Sequence, residues 1–225
     1  MNEQIPRGPL SGKRALITGA SGGVGLAIAR ALAGTGADLS LSAIGSTALE
    51  QTSEEIKREF GVEVETHIAN LAHAIDADAL ALSCAEVNIL VSATGNIPYG
   101  QIENINDEAW RKSWNAAVYA PINLIREMWR NMHETPDGLI IIVIDSPNSP
   151  QPQDINASMA GGALMSLVEA MGVRERENNP VRVLGLVSGR KGDGAAIAAA
   201  ISRIACEPEK FKSGTLLSPD AINAG

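Results

Sequence analysis

The chain has 225 residues, of which 45% are hydrophobic, so we expect residues 1–225 to form a single domain with a sizeable core. Its formal charge of −8 argues against binding to nucleic acid or to an anionic membrane surface, because both are polyanionic. Two cysteines, Cys84 and Cys206, are too few for a disulfide framework. No apolar leader precedes Lys13 and no run is long enough to span a membrane, so we expect a cytoplasmic protein.

Apolar, β-branched runs alternate with helix-length segments along the chain. Strands are predicted at 15–18, 39–43, 62–68, 89–93, 139–144, 181–187 and, with a weaker pattern, 215–218. The run 139–144 is apolar without alternation, which is typical of a central parallel strand covered on both faces. Helices are predicted over 26–32, from Asn106 to near His133, from about Asn156 to Asn178, and over the Ala-rich stretch 195–200. This order predicts an α/β fold, a doubly wound parallel sheet in a three-layer sandwich of the Rossmann type.

A glycine-rich segment joins the first predicted strand to the helix that follows it. Glycines at this junction let the chain turn sharply off the strand and let backbone N–H groups approach a pyrophosphate. They also open a helix whose positive end faces that group. The chain is therefore predicted to bind a dinucleotide through Thr18, Gly19, Ser21, Gly22, Gly23, Val24 and Gly25.

The spacing T-G-x-x-x-G-x-G resembles the first motif of the short-chain dehydrogenase/reductase family. Further segments resemble that family in the same order, namely Gly36-Ala37-Asp38-Leu39, Asn70-Leu71-Ala72, Asn88 to Gly95, and Val181 to Gly189. The resemblance implies an oxidoreductase class and a nicotinamide dinucleotide, NAD or NADP, as the cofactor. It places the following residues beside that cofactor: Ala43, Asn70, Leu71, Ala93, Thr94, Gly95, Ser188 and Gly189.

The positions that carry the family's chemistry mostly hold other residues here. In the family a tyrosine transfers the proton, a lysine four residues later lowers the pKa of that tyrosine, and a serine polarises the carbonyl. The segment 157–164 resembles Y-x-A-S-K-x-A-L, which puts Ala157 at the tyrosine position and Gly161 at the lysine position, while Ser146 matches the serine. A helix asparagine of the family aligns with Ala117, and Asn115 lies two residues earlier on a different helix face. Ordinary alcohol dehydrogenation is therefore expected to be slow or nil.

The residues that would distinguish the two cofactors are also absent. An acidic residue at the end of the second strand would bind the ribose of NAD, and an arginine there or in the glycine loop would bind the extra phosphate of NADP. This chain has Ala43, Ile44 and Gly22 at those positions. We therefore expect weak dinucleotide binding with little preference between NAD and NADP. After Gly189 the segment 190–194 leads almost directly into the next helix, where the family has a substrate-covering insertion.

Two interpretations of the function remain open. The first is a catalytically inactive subunit that pairs with an active relative or senses the cofactor. The second is an enzyme, redox or non-redox, in which Ser146 acts with Asp145 or Tyr99 on a small-molecule substrate. Asp145 would otherwise be a solvated or capping carboxylate, and Tyr99 an ordinary loop aromatic. Arg190 and Lys191 would either meet a phosphate or carboxylate or form a solvated loop.

Metal binding is not expected, whereas assembly of several chains is. His67, His73 and His133 have no metal-ligand spacing. In the family the two long helices pack against their mates across a two-fold axis. Here the first predicted helix carries an apolar stripe and the second carries small residues, namely Trp114, Val118 and Ile122 on one and Ala157, Ala160, Gly161, Gly162 and Ala163 on the other. A dimer or tetramer is expected, either homomeric or mixed with an active relative.

Overall fold

The computed structural model describes residues 8–93, 95, 97–135, 137–147, 149–174, 181–189 and 193–224. Its strands are β1 (Arg14–Thr18), β2 (Asp38–Ala43), β3 (Val64–Ile68), β4 (Ile89–Ser92), β5 (Leu139–Asp145), β6 (Arg182–Ser188) and β7 (Leu216–Leu217). Its helices are α1 (Gly23–Gly34), α2 (Thr47–Phe60), α3 (Ala74–Ser83), α4 (Asp107–Trp114), α5 (Ala120–Glu134), α6 (Ile155–Arg174), α7 (Gly194–Cys206) and α8 (Pro219–Asn223). Each predicted strand is present, with ends that differ by at most two residues, and the predicted helices 26–32 and 195–200 lie within α1 and α7.

The strands form one parallel sheet with the order β3-β2-β1-β4-β5-β6-β7 across the described chain. This arrangement confirms the predicted doubly wound α/β fold. After β3 the chain returns past β1 to add β4 on the opposite side. The sheet thus grows in one direction from β1 and in the opposite direction from β4. This reversal leaves a crevice at the carboxyl ends of β1 and β4, and ligands bind at such a crevice in sheets of this kind.

Helices cover both faces of the sheet, and β5 shows why its sequence does not alternate. The Ile141 side chain joins a core formed with α1, α2, α7 and α8, whereas Ile140 and Ile142 join a second core formed with α3, α5 and α6. All three side chains have no exposed surface. Both faces of this strand are therefore apolar, as a central parallel strand requires.

The long helix predicted from Asn106 is interrupted by a wider turn. Asn106 caps α4, because its Oδ1 accepts a hydrogen bond from the Ala109 N–H at 2.8 Å. A π-helical turn, Asn115–Tyr119, then joins α4 to α5, and the Ala120 N–H donates to the Asn115 carbonyl five residues earlier. Within this turn, Ala117 and Val118 are buried. The second long helix is α6, and residues 175–178 of its predicted length lie outside the described part of the chain.

The two cysteines occupy different environments. Cys84 is buried just after α3, whereas Cys206 ends α7 and is only partly buried. Burial raises the pKa of both thiols. No helix in the described ranges is both long enough and apolar enough to cross a bilayer.

Candidate functional site

A cleft of about 580 Å³ opens at the carboxyl ends of the strands. Most of the residues predicted to contact a dinucleotide line it, namely Gly19, Ser21, Gly22, Gly23, Val24, Gly25, Ala43, Asn70, Leu71, Ala93, Gly95 and Ser188. Asp145, one of the candidate catalytic residues, lines it as well. The fold thus brings together segments that lie far apart in the sequence.

The glycine loop has the geometry of an anion cradle. Gly19 and Gly23 have φ values of 70° and 54°, a backbone conformation that side chains disfavour. A Cβ on Gly25 would lie 2.2 Å from the Gly19 carbonyl oxygen, so the first turn of α1 touches the loop too closely for any other residue. A Cβ on Gly22 would meet nothing within 4 Å, because that position faces the open cleft.

No side chain among the described residues caps the amino terminus of α1. Gly22 at the cap supplies no side-chain hydrogen bond, and the first turn holds no acidic residue. The first N–H groups of a helix need an acceptor, and the helix dipole favours an anion there. A pyrophosphate fits both the charge and the open space of this cradle.

Thr18 does not line the cleft and instead lies buried at the end of β1, just before the glycine loop. It is fully buried, and its Oγ1 accepts a hydrogen bond from the Ala93 N–H at 3.2 Å. This bond ties the end of β1 to the end of β4, beside the crevice. Gly189 does not line the cleft either, and Thr94 lies outside the described residues.

At the β2 end of the cleft, the described lining residues include no charged side chain. Ala43 is buried, and Ile44, which also lines the cleft, is 72% exposed. Asn70 supports a local turn, because its Oδ1 accepts from the Ala72 N–H at 3.3 Å and its own N–H donates to Asp76 Oδ2 at 2.9 Å. This end can therefore hold a nucleoside by shape and by neutral hydrogen bonds.

Small apolar residues line the opposite end of the cleft. Ala116 and Ala117 on the π-helical turn face the cleft, while Asn115 is exposed to solvent. The turn thus directs Ala117, the residue predicted to take the place of the family asparagine, toward the cleft and leaves Asn115 in solvent. Ala157 is buried and does not line the cleft.

Helix α6 lies directly against the end of β5. A Cβ on Gly161 would be 2.6 Å from Ser146 Cβ, 2.9 Å from Ser146 Oγ and 3.4 Å from the Asp145 carbonyl oxygen. Real Cβ atoms essentially never approach another heavy atom as closely as 2.6 Å. The position aligned with the family lysine therefore has no room for a side chain unless α6 or Ser146 moves.

The three candidate catalytic residues lie around this contact. Ser146 is 6% exposed and is not part of the cleft lining, and its N–H donates to the Ser188 carbonyl at 3.1 Å. Asp145 lies beside Ser188 in the sheet, and its Oδ2 accepts a hydrogen bond from the Tyr99 hydroxyl at 3.1 Å. Tyr99 is 39% exposed. The structure brings Tyr99 and Asp145 together and leaves Ser146 buried beneath them.

One buried polar group near the site was missed by sequence reasoning. Asn156 Nδ2 donates to Ser113 Oγ at 2.8 Å, and its Oδ1 accepts from the Trp114 indole N–H at 3.1 Å. These bonds fasten the start of α6 to α4, immediately before Ala157. Its partners lie more than forty residues away in sequence, so no local spacing could indicate them.

Histidines and basic residues add no functional group to the described cleft. His67 Nε2 lies 3.6 Å from Cys84 Sγ, and burial lowers the pKa of His67, opposed by the nearby Glu65 carboxylate. Within the described ranges, no three His, Cys, Asp or Glu side chains cluster as metal ligands would. Arg190 and Lys191 lie outside those ranges.

The parallel sheet and the glycine cradle define a dinucleotide-binding α/β domain. The family model described as short chain dehydrogenase matches residues 13–190. The chain therefore belongs to the short-chain dehydrogenase/reductase family, as its motifs predicted.

Two relatives resemble this chain over most of its length. The human protein "Dehydrogenase/reductase SDR family member 4" is 29% identical over 189 residues, which are 81% of this chain and 67% of that protein. "Nodulation protein G" from a Rhizobium species is 32% identical over 174 residues, which are 73% of this chain and 69% of that protein.

Solved structures show the same fold at low sequence identity. An alcohol dehydrogenase from the archaeon Thermococcus sibiricus, complexed with 5-hydroxy-NADP, has a TM-score of 0.82 and 24% identity, covering 92% of this chain and 95% of that one. An NADPH-bound short chain oxidoreductase from Pseudomonas aeruginosa, described as containing an atypical catalytic center, has a TM-score of 0.84 and 22% identity, covering 93% and 95%.

Proposed function

We propose that this protein binds a nicotinamide dinucleotide but does not catalyse ordinary alcohol dehydrogenation. It then works as a cofactor-sensing subunit or as the partner of an active relative. The observation that carries this proposal is the contact between Gly161 and Ser146, which fills the space that a lysine would need. At the position aligned with the family lysine, the chain thus combines a residue without a side chain with close packing of α6 on Ser146.

The glycine cradle supports the binding half of the proposal. Its first-turn N–H groups and its open face at Gly22 suit a pyrophosphate. Relatives with the same fold were solved with NADP derivatives or NADPH. When bound, a nicotinamide ring supplies hydride transfer. The residues of this chain would hold the pyrophosphate at α1 and the adenosine near Ala43 and Asn70.

The opposite end of the cleft supports the inactive half. The family's acid is a tyrosine, and Ala157 at its position is a buried methyl group. Ala117 and Gly161 likewise provide no group that can hold or move a proton. Losing a positioned general acid costs about 10²–10⁴ in rate. With the lysine position closed as well, turnover of ordinary alcohols should fall below detection.

Binding should be weak and should hardly distinguish NAD from NADP. The pyrophosphate contacts are common to both cofactors. The described residues at the β2 end include neither an acid for the ribose hydroxyls nor a cation for the extra phosphate. Selectivity between two ligands requires that they interact differently with the site. The β2 end of the cleft has few groups that would interact differently with NAD and NADP.

Titration calorimetry with NAD⁺, NADH, NADP⁺ and NADPH tests the binding half. Gly22→Asp is a sharp variant, because the extended backbone of Gly22 accepts any residue and its Cβ would face open space. The new carboxylate would repel the pyrophosphate and weaken binding by about tenfold or more. The neutral control Gly22→Ser has a similar size and should bind nearly as wild type does. Both should fold normally, because Asp and Ser are good helix N-caps.

Two results would overturn the proposal. If wild type binds none of the four dinucleotides, the cofactor half is wrong. If purified wild type oxidises or reduces simple alcohols or ketones at rates typical of an enzyme, the inactive half is wrong.

A second candidate function rests on the hydrogen bond between the Tyr99 hydroxyl and Asp145 Oδ2. In a rearranged site, the Tyr99 hydroxyl would donate its proton to the substrate oxygen and be reprotonated from solvent, while Asp145 would keep that hydroxyl in position. This enzyme would lose activity in Tyr99→Phe and in Asp145→Asn while still binding the dinucleotide. A panel of alcohols and ketones assayed with each nicotinamide decides between the candidates, since the absence of turnover throughout removes this one.

We further propose that two or more chains assemble through α4, α5 and α6. The apolar stripe of Trp114, Val118 and Ile122 packs largely within the chain, against Ala160 and Ala163. Large side chains still reach solvent from the same region, with Tyr119 54% and Met159 48% exposed. Burial of these side chains between chains would stabilise a dimer.

Light scattering should therefore give the mass of a dimer or tetramer at micromolar concentration. Tyr119→Glu should shift that mass toward the monomer, because a charge would be buried in the interface. Leu82→Glu on α3, where Leu82 is 73% exposed, is the matched control and should leave the mass unchanged. A wild-type monomer would contradict the assembly.

A further inference from the structure

A buried amide on α5 contacts the turn that follows β3. Asn123 is 9% exposed, and its Nδ2 donates to the Leu71 carbonyl at 3.0 Å and to the Ala72 carbonyl at 3.4 Å. This nitrogen carries two hydrogens, so one amide can serve both acceptors. Helix α5 is thereby fastened to a turn that lies 52 and 51 residues earlier in the chain.

This turn forms part of the cleft lining. Asn70 and Leu71 both line the cleft, and Leu71 is buried. Within the turn, Asn70 Oδ1 accepts from the Ala72 N–H at 3.3 Å, and the His73 N–H donates to the Asn70 carbonyl at 2.8 Å. These local bonds give the turn its shape, whereas the bonds from Asn123 fix its position against α5.

The carbonyl groups of this turn depend on the amide as their donor. The bond from Asn123 to the Leu71 carbonyl is buried, so water cannot readily replace it. A buried carbonyl that is left without a donor costs about 1–3 kcal/mol. Without the amide, the turn would move outward until water reached its carbonyl groups, and the cleft lining would move with it.

The turn borders the place where the adenosine half of a dinucleotide would bind. In folds of this type, the pyrophosphate lies at the first helix and the residue at the end of the second strand meets the adenosine ribose. Ala43 ends β2 and pairs with Ile68 of β3, two residues before Asn70. The turn therefore lies on the adenosine side of the crevice, away from β5 and β6.

We propose that Asn123 is a positioning residue for the adenosine half of the bound dinucleotide. The inference rests on the proposed dinucleotide binding and adds a residue that does not itself line the cleft. Asn123 holds the turn in its binding conformation before the ligand arrives, so no binding free energy is used to order it. If the turn were in place in only about a tenth of the molecules, the apparent Kd would rise about tenfold.

The same helix offers a matched control residue. Asn131 Nδ2 donates to the Ala81 carbonyl at 3.1 Å, so this amide also fastens α5 to an earlier segment of the chain. Ala81 belongs to α3, and neither Asn131 nor Ala81 lines the cleft. Variants at Asn123 and Asn131 therefore remove bonds of the same kind, one at the cleft lining and one away from it.

Titration calorimetry on the full chain with NAD⁺ and with ADP-ribose measures the effect. ADP-ribose carries the adenosine and both phosphates but no nicotinamide ring. Asn123→Asp keeps the shape of the side chain and replaces its donors by acceptors, so Kd for both ligands should rise about tenfold at about pH 8. Asn131→Asp should leave both Kd values within about twofold of wild type, although it also loses a hydrogen bond.

A pH series gives a readout that a mere loss of packing would not give. A protonated carboxylic acid has one O–H that can donate to the Leu71 carbonyl, and burial raises the pKa of such an acid. The affinity of Asn123→Asp should therefore recover toward that of wild type as the pH falls to about 5. Wild type measured at each pH accounts for the other titratable side chains near the turn, His73 and Asp76.

A neutral variant separates the missing donor from the added charge. Asn123→Leu has a similar size, no donor and no charge, so its affinity should be low at every pH. Asn131→Leu is its control and should bind both ligands as wild type does. Urea unfolding of each variant shows that it is folded during calorimetry, and the leucine pair serves alone if Asn123→Asp does not fold.

The outcomes distinguish this inference from the proposed function. Wild-type affinity for both ligands in the Asn123 variants would overturn the inference, as would an equal loss in the Asn131 variants. A loss in Asn123→Asp combined with normal binding by Asn123→Leu would assign the effect to the added charge and would equally overturn it. Binding of neither NAD⁺ nor ADP-ribose by wild type would overturn the proposed function itself.

Discussion

Alanine substitution at two neighbouring glycines of α6 measures how closely this helix lies against β5. A Cβ on Gly161 would be 2.6 Å from Ser146 Cβ, whereas a Cβ on Gly162 would meet nothing within 4 Å. Alanine is favoured over glycine in a helix interior by about 1 kcal/mol, so Gly162→Ala should stabilise the protein by up to about that amount. At Gly161 the same gain is opposed by an overpacking cost of about 1–3 kcal/mol. The cost should lie at the upper end of that range, because the added Cβ and Ser146 Cβ are both bonded directly to backbone atoms and cannot rotate away from each other.

The two variants should therefore differ in free energy of unfolding by roughly 2–3 kcal/mol. For a chain of this size each kcal/mol shifts the melting temperature by about 2–4 °C, so the gap should be about 4–12 °C. Differential scanning calorimetry measures both values under the same conditions. Light scattering on each variant ensures that the comparison is made at the same state of assembly.

Repeating both alanine substitutions in a Ser146→Gly variant identifies the atoms that cause the clash. Ser146→Gly removes both Cβ and Oγ, the two atoms nearest to the added methyl group, and the next nearest atom is then the Asp145 carbonyl oxygen at an ordinary 3.4 Å. In that background Gly161→Ala should recover most of its loss, which is a coupling of about 1–3 kcal/mol. Gly162→Ala should have the same effect in both backgrounds.

Equal stabilisation by the two alanines in wild type would refute this reasoning. It would mean that α6 leaves room for a side chain at position 161, and the proposed inactivity would lose its main support. If the reasoning holds, the pair Ala157→Tyr and Gly161→Lys will not restore dehydrogenase activity, because the lysine would displace the helix that has to position the tyrosine.

Three further predictions concern other parts of the molecule. Ile44→Arg should raise the affinity for NADP about tenfold in calorimetry, with no equal gain for NAD, because its side chain already faces solvent at the β2 end. Gly172→Ala should lower the melting temperature by several degrees, since its Cβ would lie 2.2 Å from Gly214 Cα, and a melt like that of wild type would contradict the contact. Burial lowers the pKa of His67 below its ordinary 6.5, so the unfolded chain takes up this proton first and stability falls as pH drops through 6.5. Urea unfolding at two pH values should show a smaller fall for His67→Gln, and an identical fall would remove His67 as the cause.

Local sequence patterns determined the fold and the nucleotide half of the cleft. Apolar runs alternate with helix-length segments, and this pattern indicates which segments are buried and whether their side chains repeat with the period of a strand or of a helix. It therefore predicted the strands that the sheet contains. The glycine loop is equally local, because the φ values at Gly19 and Gly23 and the close contact at Gly25 arise within a few residues. Such features can be predicted from a single segment of sequence.

Tertiary packing decided the catalytic half. The Tyr99–Asp145 hydrogen bond joins residues 46 positions apart, and the contact of Gly161 with Ser146 depends on how near α6 docks to β5. An alignment shows that Gly161 replaces a lysine, but it does not show whether the vacated space stays open or is taken up by the helix. That outcome depends on the docking of α6, to which the buried hydrogen bonds of Asn156 contribute. Sequence therefore indicated which groups are missing, and only the assembled structure determined what occupies their place, because helix docking depends on many distant contacts acting together.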